Sequence, residues 1–185
     1  MPIYQNSSVS SDKLILGNCK IETSATSGGT YVNLGAGIVN SFTHSPEFYD
    51  VQAGNAPDPI EGVATETATI ELELIEYDGS VLSAIHCGLI SESSTTTLST
   101  ITAGGNQELT PRAFKLTNTW ISGTTTVETI LTVFKGTMKT GPTFNFKGDN
   151  DTDPIAVIPC TIEAKLDSSL SAGSQLYTIT RTKVE

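Results

Sequence analysis

Apolar and polar residues alternate with a period of two along most of the chain, as expected of strands with one buried face. The clearest run is ATETATIELELIEYD: Ala68, Ile70, Leu72 and Leu74 fall on one side, and Thr67, Thr69, Glu71 and Glu73 on the other. KLILGNCKIET predicts a first strand around Leu14 to Ile21, followed by the glycine-bearing turn SATSGGT. In TYVNLGAGIVNSF the side chains of Val32, Leu34, Ala36, Ile38 and Phe42 share a side, and Gly35 and Gly37 opposite them suit a bulge or a close backbone approach. AFKLTNTWI and TTTVETILTVFKGTMK predict a hairpin turning near Ser122 and Gly123, with Phe114, Leu116 and Trp120 toward the core. IAVIPCTIEAKLD places Ile158, Cys160, Ile162 and Ala164 inward, and LYTITRTKV closes the chain as a strand.

Three segments break this rhythm. Val81, Leu82, Ile85 and Leu89 recur at helical spacing behind a possible cap at Asp78 or Ser80, so one helix is expected over about Ser80 to Gly88. Ser45 to Gly62 holds three prolines, two glycines and four acids, and reads as a long loop or a pair of extended arms excluded from a central ladder. Its Phe48, Tyr49, Val51 and Ile60 need a surface to pack against, which a partner can supply. The third is the Ser/Thr-rich stretch 91–111, expected to be a mobile loop with short extended pieces. The fold class expected is therefore mainly β, a sandwich or partial barrel of antiparallel strands with one flanking helix and a long loop or hairpin.

Composition agrees: 28 Thr and 19 Ser in 185 residues favour strands and loops, and the length fits a single domain, 1–185, with a real core. The net charge of −10 argues against a conventional nucleic-acid binder, which needs a basic footprint. The charge is also unevenly placed. From Ile21 to Pro111 there are 12 acids and neither Lys nor Arg, whereas Arg112 to Glu185 carries 8 bases against 7 acids. Cys19, Cys87 and Cys160 are odd in number and widely spaced, and read as small buried hydrophobes rather than disulfide or zinc residues. MPIYQNSSVSSDK lacks the apolar core of a signal peptide and no run is long enough to span a membrane, so a cytosolic origin without membrane contact is expected.

Candidate chemistry is sparse. His44 and His86 stand near no recognisable nucleophile or paired acid, and the Gly-rich stretches lack the Lys-Ser or Lys-Thr of a phosphate cradle. Asp149, Asp151 and Asp153 repeat at the spacing of a calcium loop, but Pro154 replaces the turn glycine and Cys160 the bidentate Glu. Glu71 and Glu73 could form a catalytic pair by spacing alone, yet nothing beside them would separate their proton affinities. No enzyme activity and no cofactor are expected.

The succession YVNLGAGIVNSF, proline-bearing loop, GVATETATIELELIEYD and helix SVLSAIHCG resembles the tail tube proteins of tailed bacteriophages, and IPCTIEAKLDSSLSAGSQLYTIT is similar to the last two strands of that family. The resemblance covers about Tyr31 to Thr180. It implies a structural virion protein assembled in the host cytoplasm, whose six-membered rings stack into a tail tube that conducts DNA. It also implies self-association, contact with other tail proteins, and DNA passing without specific binding. Thr67, Thr69, Glu71 and Glu73 would then face the lumen, since a wall of one sign keeps phosphates from adhering. Phe48, Tyr49, Val51 and Ile60 would lie across a neighbouring subunit. The alternatives are a β-sandwich binding module for carbohydrate or protein, with Trp120 as the residue to test, and another phage structural part such as a capsid decoration.

Overall fold

The structure, a computed structural model, describes residues 17–51, 60–75, 79–105, 108–122, 125–141, 143 and 157–184. The strands are β1 (Asn18–Ser24), β2 (Val32–Val51), β3 (Ile60–Leu74), β4 (Ile90–Ser94), β5 (Ser99–Ala103), β6 (Arg112–Ser122), β7 (Thr125–Met138), β8 (Ile158–Ala164) and β9 (Tyr177–Val184), with helix α1 (Gly79–Ile85) between β3 and β4. The fold is mainly β, as the alternation predicts. Antiparallel pairing runs β6-β1-β2-β3-β8-β7, and β7 pairs back onto β6, so six strands close into a barrel. Closure rests on a short ladder: β7 meets β8 only from Gly136 opposite Ala164 to Met138 opposite Ile162. β9 adds to β7 along Thr126 to Val133, where β8 is no longer alongside.

The barrel interior is filled by the residues that alternation selects. Ala68, Ile70, Leu72 and Leu74 of β3 are at most 1% exposed, and Ile158, Cys160, Ile162 and Ala164 of β8 are buried against them. Phe114 and Leu116 of β6 and Leu131 and Val133 of β7 complete the same cluster. α1 caps the end where β3 finishes, burying Val81, Leu82 and Ile85 in that core. The helix is shorter than its periodicity predicts, because Cys87 and Gly88 both take left-handed backbone (φ 53° and 91°) and turn the chain out of it.

Two expectations need correcting. On β2 the phase is not constant: Leu34 is buried, but Val32 is 60% exposed and Ala36 is exposed too. Register shifts opposite Ile21/Glu22 and between Val39 and Ser41 move the inward side by one residue each time. The glycines do serve as predicted. Gly35 has φ 101°, and a Cβ on Gly37 would stand 2.5 Å from Ile21 Cδ1 and 2.8 Å from the Glu73 carbonyl oxygen.

Of the two readings of Ser45 to Gly62, the described residues take the pair of extended arms: β2 and β3 stay paired from Ser45 opposite Thr67 out to Val51 opposite Ile60, forming a hairpin arm beyond the barrel. Pro46 is tolerated because, among the described residues, β1 pairs with β2 no further than Ile38 and no other strand takes the outer edge of β2, where a ladder would need the missing N–H. The short extended pieces expected in 91–111 are the antiparallel pair β4 with β5. The second correction is Trp120, 37% exposed rather than in the core: among the described residues β1 accompanies β6 no further than Thr117, and the hairpin runs on past that cover.

Candidate functional site

The outer face of β3 carries Thr67, Thr69, Glu71 and Glu73; the first three stand opposite polar residues, whereas Glu73 stands opposite Ile38 of β2 and Pro159 of β8. Ser45, Thr43 and Ser41 of β2 face Thr67, Thr69 and Glu71, and on β8 Thr161 faces Glu71 and Glu163 faces Thr69. Ser41 Oγ donates to Glu71 Oε2 at 2.9 Å, and Asn40 Nδ2 donates to Glu73 Oε1 at 3.1 Å. Both donors are neutral. Among the described residues neither Glu71 nor Glu73 forms an ion pair, whereas Glu163 on the same face holds Lys139 Nζ at 2.9 Å. Among the described residues, therefore, no cation cancels the charge of these two carboxylates.

Glu22 shows the contrasting arrangement. Burial works to raise its proton affinity, but Lys20 at 2.7 Å and Lys115 at 3.5 Å prevail and hold the carboxyl below its usual range. The acidic charge of that edge is cancelled locally, and that of β3 is not.

The arm is the second element of the site. Phe48 is 65% exposed and sits opposite Val63, itself largely exposed, while the Tyr49 ring lies over Gly62, where a Cβ would come within 2.6 Å of it. Val51 and Ile60 pair at the outer end of the ladder. Side chains at Glu47 and Asp50 are exposed, and Glu47 accepts a hydrogen bond from Thr65 Oγ1 at 2.8 Å.

At the root of the arm the fold assembles a cluster that no local pattern announces. His44 Nε2 is 3.8 Å from Glu66, His44 Nδ1 is 3.4 Å from the Tyr177 hydroxyl, and Tyr177 also meets Phe42 edge-on at 4.9 Å between ring centroids. Leu166, Gln175 and Leu176 enclose a cavity of ≈270 Å³ beside them. These residues lie up to 133 positions apart, so only the closed topology unites them.

The other candidates fall out differently. His86 is fully buried on the helix end, its Nδ1 2.7 Å from the Leu82 carbonyl oxygen and its Nε2 without a partner among the described residues. All three cysteines are buried, as expected, and burial pushes the Cys19 thiol up to about 11 and that of Cys160 to about 12. Asp149, Asp151 and Asp153 lie outside the described residues. Among the described residues no helix is long and apolar enough to cross a membrane. No protein-family model matches the chain, and no curated protein matches it.

Proposed function

We infer that this chain is a non-enzymatic structural subunit of a bacteriophage tail tube, located in the virion tail, whose rings of six copies stack around a bore that conducts DNA. The reading is supported above all by the outer face of β3, where, among the described residues, Glu71 and Glu73 are held by neutral donors alone. A water-filled channel for a polyanion needs such a wall: like charge prevents adhesion, and hydroxyls keep the surface wetted. Thr67, Thr69, Glu71 and Glu73 line the bore in this reading, and Phe48 and Tyr49 engage a neighbouring subunit. Exposed aromatic area at the end of a two-stranded arm fits an interaction site better than a monomer surface.

Electron microscopy of the purified protein tests the assignment. Rings or tubes are expected, and a strictly monomeric species at high concentration and in every buffer tried overturns it.

Trp120, 37% exposed beside the 68% exposed Ile121, favours one other reading, a binding module with an aromatic platform. Glycan binding that disappears in Trp120→Ala would replace the tube with that module.

A further inference from the structure

Past Ala164 the sheet parts into two lips. β8 accompanies β3 only along Ala68 to Leu74, so Ile60–Thr67 has β2 as its sole strand partner among the described residues, and β9 has only β7. The cavity beside His44 and Tyr177 lies at the root between the lips. Their charges are opposite. Glu47 and Asp50 on the arm form no ion pair among the described residues, and the whole segment from Ile21 to Pro111 contains neither Lys nor Arg. On the other lip Arg181 of β9, and Lys165 at its foot, likewise form no ion pair among the described residues. Each lip also exposes apolar area, Phe48 at 65% and Ile179 at 39%. Among the described residues both sets of charge are therefore left without an ion pair.

We propose that the acidic arm of one copy docks on the β9 lip of a second copy, Glu47 and Asp50 meeting Lys165 and Arg181 while Phe48 covers Ile179. The proposal rests on the ring-forming reading and adds the receiving surface. The two patches differ, so the contact is heterologous and repeats from copy to copy, as a ring or a filament requires. Charge complementarity selects a second copy over an unrelated partner, because one chain supplies both signs.

The test uses two full-length variants with reversed charge, Glu47→Lys with Asp50→Lys and Lys165→Glu with Arg181→Glu, followed by analytical ultracentrifugation at low salt. Each variant alone should self-associate about tenfold more weakly than the unaltered chain, the scale of two exposed pairs lost. An equimolar mixture should recover, because the reversed arm fits the reversed lip and the remaining contact is unaltered. Melting temperatures verify folding, and Lys165→Glu alone carries the second arm of the test if Arg181→Glu lowers stability. Unchanged association of either folded variant, or no recovery on mixing, overturns the docking. Tubes that still form from a single folded variant refute the docking and leave the tube reading standing. Alternating complexes that never become rings or tubes retain the docking and refute the tube. A chain that associates with a different protein and never with itself overturns the choice of occupant.

Discussion

Replacing Glu71 and Glu73 together by Lys separates the two jobs of β3, since adjacent residues on that strand face a packed core and open solvent. Glu71 is exposed and Glu73 partly so, and each gives up one hydrogen bond to a neutral partner, Ser41 or Asn40. Solvent replaces those bonds, so the double change should cost about 1 kcal/mol or less. Leu72→Ala, between them and 1% exposed, removes packed core atoms and should cost about 2–5 kcal/mol. Urea unfolding of both variants gives this comparison directly. The functional effect should be reversed in rank. Each substituted position moves from −1 to +1, so assembled Lys variants should retain DNA at low salt and release it as salt rises, with a slope of about 0.9 in log K per phosphate engaged. Unaltered tubes should retain none. If the double variant unfolds as readily as Leu72→Ala, those carboxylates are structural; if its tubes ignore DNA at every salt concentration, they do not line the bore.

Burial pushes the His86 imidazole below its ordinary value, against an opposing bond to the Leu82 carbonyl. Its unfolded form binds the extra proton, so its share of stability is complete above about pH 6.5 and declines as pH falls toward the folded value, by at most about 1.4 kcal/mol per pH unit. Urea midpoints should drop below about pH 6.5, and His86→Leu should remove that dependence; parallel curves for the two proteins refute it. Thiol titration of the folded chain near pH 8 should leave Cys19 and Cys160 unmodified until denaturant is added, because burial disfavours both thiolates. Gly136→Ala would set a Cβ 2.8 Å from Phe114 Cδ2 and 3.0 Å from Ile162 Cγ2 where β7 meets both β6 and β8. It should lower stability by about 1–3 kcal/mol in thermal melts, and an unchanged melting temperature would mean that the closing seam has slack.

The parts of the fold that were legible in the sequence are those in which one face of a strand is dry and the other wet. β3 and β8 satisfy that condition over their paired length, and their inward residues follow from counting by two. β2 does not, because a bulge changes which parity faces inward, and Gly35 signals that a bulge is available without giving the direction of the shift. Trp120 continues the parity of Phe114 and Leu116 beyond the last described pairing of β1 with β6, so its period is right and its burial is not. β4 and β5 have nearly every side chain in solvent, which leaves no apolar rhythm to read. The meeting of His44, Glu66 and Tyr177 depends on how the barrel closes, and no local propensity encodes that.

β3 links these features mechanically. From Ile60 to Thr67 it forms one edge of the arm; from Ala68 to Leu74 it fills the core on one side and bears Glu71 and Glu73 on the other; it then leads into the capping helix. The strand runs without interruption between these zones, and the core half is clamped by β2 and β8 on its two edges. Where a neighbour grips the arm, the orientation of the carboxylates about the barrel is fixed by that strand rather than by a loop. In the proposed tube, contacts at the arm would thus set the angle at which each copy presents its acidic face. A glycine-rich insertion between Thr67 and Ala68 should preserve arm contacts while disordering the rings, whereas regular rings from that variant would show that the arm carries no orientational information.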